Sequence, residues 1–145
     1  MNFECLRFWA KQKGIFSIAE RNGLLVDLRS GDVIDYPDDA FCAAYEKKVL
    51  LDKKILDIDK DRNNALFAVT YKDFIFSESS LKTFYTEISI AERKKQKVQW
   101  ITKDNQFIEL TVLQAYKIAD DVSDQIKQIY FDARRKKDEI INGSD

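Results

Sequence analysis

The sequence predicts a mixed α+β protein with a small N-terminal antiparallel β meander, one long helix, and then a β-hairpin–helix–β-hairpin–long helix unit. Three observations support this fold class. Short apolar segments joined by turn residues fill residues 1–37, a stretch without glycine or proline follows the single proline, and two further strand pairs alternate with helical patterns. The chain is thereby divided into a β-rich segment at 1–37, a helix at 38–66 and an α+β domain at 67–145.

The N-terminal segment is predicted to form three short strands, at 15–19, 24–28 and 33–36. The Asn22-Gly23 pair is a strong signal for a two-residue turn between the first two strands, and Ser30-Gly31 precedes the third. Residues 3–9 are expected to add a fourth strand. A sheet this small cannot bury both faces, so we expect it to pack on another part of the chain or on a second copy.

Pro37 marks the change from strand to helix, and Asp38 or Asp39 is expected to cap the helix that follows. Apolar side chains then recur at alternating three- and four-residue spacing, which is the heptad pattern of a coiled coil. The candidate oligomer seam consists of Phe41, Ala44, Leu51, Ile55, Ile58 and Ala65, interrupted by Lys48 and Arg62. The pattern fits either a protruding, oligomer-forming stalk or a long core helix lying across the sheets.

The remainder of the chain predicts two hairpins and two helices. The strands are expected at 69–71, 74–76, 98–102 and 106–110, with turns at Lys72-Asp73 and at 103–105. Ser77 or Ser79 is expected to cap the first helix. Thr111 with Gln114 predicts a capping box for the last helix, at about 112–140, and Asn142-Gly143 predicts its end.

Composition excludes several classes of function. The 24 basic and 25 acidic side chains leave a net charge of −1, which implies neither nucleic acid nor an anionic membrane as a partner. Without histidine there is no imidazole base or metal ligand. Cys5 and Cys42 are too few and too far apart for a zinc site, and in a reducing compartment we expect them to be buried small hydrophobes rather than a bridge. No membrane span or signal sequence is recognised, so we expect synthesis in the cytoplasm without membrane insertion.

Charged clusters offer little support for catalysis. Asp104 with Glu109 would supply a carboxylate pair, but a hairpin turn is exposed and does little to raise a pKa. The Asp57–Asp61 run has the residue types of a nuclease, yet a helix turns its carboxylates to different faces. The basic run at 134–137 is expected to be a solvated face that complements the helix dipole. We therefore expect no enzymatic activity, no cofactor and no catalytic or metal-binding residues.

Several segments within 46–141 resemble, in their order, a domain of unassigned function in tail proteins of bacteriophages and prophages. They are Val69-Thr70-Tyr71-Lys72-Asp73-Phe74-Ile75-Phe76, the strand and turn Val98-Gln99-Trp100-Ile101-Thr102-Lys103-Asp104-Asn105, Leu110-Thr111, and Ala133-Arg134-Arg135-Lys136-Lys137-Asp138-Glu139-Ile140. A helix ending in Arg-Asn-x-Ala often precedes that domain, and Arg62-Asn63-Asn64-Ala65-Leu66 occupies this place. In those proteins the domain typically forms the C-terminal part of tail-fibre, baseplate-associated or tail-fibre-assembly proteins.

The resemblance implies a tail-fibre or baseplate-associated component of the virion tail that is made in the host bacterial cytoplasm and binds other tail proteins. A homo-oligomer is expected, with a trimer favoured because tail fibres are threefold. The alternatives are a tail-fibre assembly chaperone and a small immunity or anti-defence inhibitor. Among the motif residues, Trp100 is expected to pack beneath the last helix, and Asp104 and Asn105 to form a turn. Asp73 is expected to take the positive φ that glycine usually supplies in such a hairpin turn.

Overall fold

A computed structural model describes residues 2–143 of the chain. The α+β class predicted from the sequence is confirmed. Two compact units are formed, Met1–Lys53 and Lys54–Asp145, and the boundary between them falls inside the long helix. The elements in order are α1 (Phe3–Gln12), β1 (Ile18–Arg21), β2 (Leu24–Asp27), β3 (Val33–Ile34), α2 (Asp39–Phe67), β4 (Val69–Tyr71), β5 (Phe74–Phe76), α3 (Glu78–Lys94), β6 (Val98–Ile101), β7 (Phe107–Leu110) and α4 (Val112–Asn142).

The prediction of a fourth strand at residues 3–9 is wrong, because this segment is the helix α1. The Asn2 side chain caps it by accepting a 2.9 Å hydrogen bond from the Glu4 amide. Cys5, Leu6 and Ala10 then recur at helical spacing, and all three are buried. Burial of this face favours the helix over the strand.

The meander β1-β2-β3 is antiparallel, as predicted. Asn22 and Gly23 both have positive φ, 55° and 77°, which is the backbone of a primed two-residue hairpin turn. The inner face of the sheet packs on α1 in a small core of Leu6, Ala10, Ile18 and Leu25. On the outer face, Leu24 and Val33 are 50% and 61% exposed. The sheet therefore buries one apolar face within its unit and leaves the other open.

The second unit has the larger core, in which α3 and α4 pack together with the hairpins β4-β5 and β6-β7. The completely buried side chains of this core are Phe76, Phe84, Ile88, Ala115, Ala119 and Val122. Ala115 and Ala119 lie one turn apart on α4, where their small side chains let α4 approach its neighbours closely. The start of α4 is therefore closely packed in this core.

Both predicted capping sites of this unit are present. Ser77 caps α3, with reciprocal hydrogen bonds of 2.8 and 3.2 Å to Ser80. Thr111 and Gln114 form the predicted capping box of α4, with bonds of 2.9 and 3.1 Å. Because four amide groups at a helix start lack helical partners, these side chains fix where each helix begins.

The tight turn of β4-β5 differs from the prediction in one residue. The positive φ, 50°, is at Lys72, and Asp73 does not share it. In the primed turns that suit hairpins, the first central residue always has positive φ, and Lys72 occupies that position between the paired Tyr71 and Phe74. The turn therefore places a lysine in the left-handed region, at some cost in conformational energy.

Candidate functional site

The helix α2 carries the predicted oligomer seam and starts where the sequence indicates. The Asp38 side chain accepts a 2.7 Å hydrogen bond from the Phe41 amide, and the Asp38 carbonyl accepts one of 3.2 Å from Cys42. Asp38, and not Asp39, is therefore the capping residue. No glycine or proline interrupts the following 29 residues.

The seam residues follow one face of α2 but are not enclosed. Phe41, Leu51, Ile55 and Ile58 are half-buried, whereas Ala44 and Ala65 are exposed. All residues of α2 are described, and Leu66 alone among them is buried. Apolar side chains elsewhere on the helix are also open to solvent: Val49, Leu50 and Leu56 are 45%, 55% and 68% exposed. The long helix therefore carries much apolar surface that its own chain does not cover.

Within the first unit, the start of α2 contacts α1 through aromatic rings. Phe8 lies against Phe41 with ring centroids 6.3 Å apart and against Tyr45 at 5.1 Å. Phe41, which the sequence assigns to the seam, thus already has a partner within its unit. Leu51, further along the seam, is half-buried.

Within the second unit, the C-terminal half of α2 is held by charge. The Lys137 ammonium donates a 2.6 Å hydrogen bond to Asp59, and Arg62 lies 2.9 Å from the same carboxylate. The hydrogen bond from Lys137 lowers the pKa of Asp59, with the charges of Lys137 and Arg62 adding to it, while desolvation opposes the shift. Arg62 also stacks over the Tyr130 ring, 5.7 Å from its centroid.

A shallow groove of about 310 Å³ separates α2 from α4 in this unit. Its wall on α2 includes the seam residues Ile58 and Ala65, and its wall on α4 includes Ile129, Ala133 and Lys136. The far end of the predicted seam therefore faces a helix of its own chain. All six candidate seam residues lie on one helix, but the side chains that surround them differ along it. The six are Phe41, Ala44, Leu51, Ile55, Ile58 and Ala65.

Trp100 of the resemblance motif is half-buried and packs against the core of the second unit. Its ring stacks on Phe76 at 6.2 Å and lies against Phe84 at 4.7 Å. These aromatic partners belong to β5 and α3, whereas the sequence predicts packing beneath the last helix. Offset and tilted ring pairs contribute stabilisation beyond that of the apolar area they bury. This aromatic cluster therefore stabilises the junction of the two hairpins with α3.

Asp104 and Asn105 lie in the β6-β7 turn, as predicted. Asn105 has φ 58°, and its amide donates a 3.0 Å hydrogen bond to the carbonyl of Thr102. Asp104 is exposed. The adjacent Lys103 amide donates a 2.8 Å hydrogen bond to the carbonyl of Asp73 at the tip of the other hairpin. The motif turn therefore braces one hairpin against the other.

The charged clusters are arranged as surface ion pairs. Glu109, considered with Asp104 as a carboxylate pair, lies 3.4 Å from Lys97. In the basic run at 134–137, Arg134 pairs with Asp138 at 3.1 Å and Arg135 with Asp132 at 3.3 Å. Across residues 2–143, no three His, Cys, Asp or Glu side chains converge as metal ligands, and no helix is long and apolar enough to span a bilayer.

Two sets of contacts in the structure are not predicted from the sequence. Four tyrosine hydroxyls donate to carboxylates on other elements, in the pairs Tyr71–Asp121, Tyr85–Asp120, Tyr116–Glu92 and Tyr130–Glu78. In the first unit, the sulfurs of Cys5 and Cys42 lie 3.2 Å apart. Residues so distant in sequence carry no local signal of contact, and only correlated changes across many relatives would indicate it.

Comparison with known families decides the classification of most of the chain. A model of the family described as domain of unknown function DUF4376 matches residues 50–145. The chain belongs to this family. The DUF4376 region begins inside α2 and contains both hairpins of the second unit, α3 and α4, with the Trp100 cluster among them. No curated protein and no solved structure is significantly similar to the chain.

Proposed function

We propose that the chain is a non-enzymatic component of a bacteriophage or prophage tail, associated with the tail fibre or baseplate, that acts by binding other tail proteins. The observation that carries this proposal is α2, which buries Leu66 alone among its described side chains and leaves apolar residues on the surface. Monomeric proteins seldom expose extended apolar surface without using it for binding. The helix is therefore the proposed interaction surface.

The length of α2 suits a rod-like contact. Twenty-nine residues in a helix span about 43 Å, and a helix of this kind draws most of its stability from packing of its apolar face. The half-buried Leu51 and Ile55 offer the middle of the seam to a second copy. Lys48 at a seam position weakens such an interface but fixes its register, whereas Arg62 is held by Asp59 and Tyr130 of its own chain. A homotrimer is the favoured assembly.

The tail assignment is supported by the resemblance of the motif segments, which lie within the DUF4376 region. The motif residues have structural surroundings, with Trp100 in an aromatic cluster and Asn105 in a tight turn. Such residues suit a rigid binding module. The exposed outer face of the N-terminal sheet, with Leu24 and Val33, offers a second apolar surface for attachment.

A tail-fibre assembly chaperone would use the same surfaces, and a small immunity or anti-defence inhibitor would use them on one target. The composition of purified particles separates these functions. The chain is epitope-tagged in the phage or prophage that encodes it, particles are purified after lysis, and its copies per particle are counted by quantitative mass spectrometry against a structural tail protein.

The tail component is expected in particles at a fixed copy number that is a multiple of three. Absence from particles, with recovery of the tagged chain on unassembled fibres, would contradict this proposal and favour the chaperone. Absence from both, with the chain recovered as a monomer or dimer on one other protein, would favour the inhibitor. An untagged strain controls for proteins that adhere to the particles nonspecifically.

A further inference from the structure

The geometry points to a redox modification site in the first unit, where Cys5 and Cys42 form an intramolecular disulfide when the chain meets a small-molecule disulfide such as oxidised glutathione. Both thiols are free, and their Sγ atoms lie 3.2 Å apart. A disulfide holds its sulfurs about 2.05 Å apart, so the two atoms need to approach by roughly 1 Å. The pair precedes the DUF4376 region and requires no partner protein.

Two helices present the sulfurs to each other. Cys5 lies in the first turn of α1, whose start is fixed by the Asn2 cap, and its side chain is completely buried. Cys42 lies in the first turn of α2, where its amide bonds to the Asp38 carbonyl at 3.2 Å, and its side chain is partly exposed. A small reagent therefore reaches Cys42 first and Cys5 only through Cys42.

This difference in access sets the order of the chemistry. The Cys42 thiol loses its proton to solvent, and its thiolate attacks one sulfur of the reagent disulfide, which forms a mixed disulfide and releases one reagent thiolate. Cys5 then loses its proton, attacks Sγ of Cys42 and releases the second reagent thiolate. The two released thiolates take up the two protons. The chain is oxidised by two electrons and the reagent disulfide is reduced to two thiols.

The environment of Cys5 suits the second step and not the first. Burial, together with the hydrogen bond to Cys42, raises the pKa of the Cys5 thiol to about 11. A thiol that stays protonated at neutral pH is a poor nucleophile towards reagents in solution. Next to a mixed disulfide on Cys42, however, proximity compensates for the low thiolate fraction, because the attack is intramolecular.

The closed bond would link α1 to the start of α2 and enclose the whole β meander. The two cysteines are 37 positions apart, and cross-links that close a loop of this size restrict the unfolded chain substantially. Oxidation is therefore expected to raise the melting temperature of the first unit. The chain would be stabilised on passing from a reducing to an oxidising environment.

The test uses the full chain, reduced with dithiothreitol, desalted and incubated with oxidised glutathione at neutral pH. Intact-mass spectrometry is expected to show the loss of two hydrogen atoms with no bound glutathione, and peptide mapping to show the Cys5–Cys42 link. The melting temperature is expected to rise by several degrees and to return when dithiothreitol is added. A chain that keeps both hydrogens, forms only intermolecular disulfides, or retains glutathione without closing the ring would overturn the proposal.

Two matched variants test the order of the steps. In Cys5→Ser, glutathione is expected to remain on Cys42, because no second thiol displaces it. In Cys42→Ser, neither a disulfide nor a glutathione adduct is expected, because Cys5 is buried. The reverse pattern would show that Cys5 is the accessible thiol and would contradict the assigned roles. If either substitution prevents folding, the wild-type mass and melting temperature still decide whether the bond forms.

Discussion

The hydroxyl of Tyr71 donates a 2.6 Å hydrogen bond to Oδ2 of Asp121, and this contact joins β4 to the N-terminal third of α4 across 50 positions of the chain. Tyr85 makes a similar bond of 2.9 Å to the neighbouring Asp120. Two adjacent carboxylates on one helix thus receive hydroxyls from a strand and from another helix. Hydrogen bonds to charged acceptors are stronger than neutral ones, so these pairs position α4 as well as stabilise it.

Replacing Tyr71 with phenylalanine removes the hydroxyl and keeps the ring. We expect Tyr71→Phe to lower the melting temperature by a few degrees, because Asp121 loses its partner. Thermal unfolding followed by circular dichroism measures the change. Asp121→Asn, which retains an oxygen acceptor, is expected to lower it less. Equal losses in both variants would show that the negative charge, and not the hydrogen bond, provides the stabilisation.

Alkaline pH should weaken the fold through Tyr85. Burial, and then the hydrogen bond to Asp120, raises the pKa of Tyr85 from its usual 10 to about 12. Below pH 10 the phenol of Tyr85 is protonated in both folded and unfolded chains, and its contribution to the free energy of unfolding is fully present. Between pH 10 and 12 only the unfolded chain ionises, so stability falls. Urea unfolding across this range should show a shallower decline in Tyr85→Phe than in the wild type. An unchanged pH dependence in the variant would contradict this assignment.

Acid should weaken the attachment of α2 within the second unit. The hydrogen bond from Lys137 lowers the pKa of Asp59 below 3.8. The ionised Asp59 side chain therefore contributes fully to the stability of the fold above pH 3.8, and this contribution is lost as pH falls through the lowered pKa. We expect Asp59→Asn to be less stable than the wild type at neutral pH and to lose less stability in acid. Asp57→Asn, at an exposed position on the same helix, is the control. Identical acid unfolding of the wild type and Asp59→Asn would contradict the prediction.

The aromatic cluster of the second unit should be the most sensitive part of the core. Phe84 is completely buried and contacts the rings of Phe76 and Trp100. We expect Phe84→Ala to lower the free energy of unfolding by about 3–5 kcal/mol, because it leaves a cavity as well as removing apolar contact. Chemical denaturation measures the loss, with exposed Lys82→Ala as the control on the same helix. A loss below about 1 kcal/mol would show that the surroundings collapse to fill the space.

The seam prediction concerns assembly. We expect the wild-type chain to sediment at three times its 17.0 kDa mass. The double substitution Leu51→Asp and Ile55→Asp should dissociate it, because burying unpaired charge in an apolar interface is strongly unfavourable. Lys53→Asp, between the two sites and exposed, should leave the assembly intact. Circular dichroism confirms that the variants fold. A wild-type chain that sediments as a compact monomer would contradict the seam.

Local signals predicted most of the secondary structure because the controlling interactions are themselves local. The Asn22-Gly23 turn and the Thr111–Gln114 box each depend on residues within four positions of one another. The sequence of segment 3–9 fits either element, since Phe3, Cys5 and Trp9 suit the alternation of a strand. The burial of both Leu6 and Cys5 indicates a helix, because neighbouring residues of a strand point to opposite faces. That burial depends on the sheet that packs against α1, which the local sequence does not show.

The partners of the candidate surface residues could not be predicted in the same way. Asp59 meets Lys137 across 78 positions, and Cys5 meets Cys42 across 37. The heptad spacing of α2 indicated an apolar face, but it could not distinguish Phe41, which contacts Phe8, from Leu51 in the middle of the helix. Such contacts arise from tertiary packing, which one sequence does not encode locally.

The hydrogen bond between the Lys103 amide and the Asp73 carbonyl fixes the distance between the two hairpin loops. It uses only main-chain atoms, so the loops stay joined without any contribution from the side chains of Lys103 and Asp73. The spacing of the two exposed tips is therefore set by the main chain. Proline at position 103 would be the one kind of side-chain change that separates them, because it removes the donor.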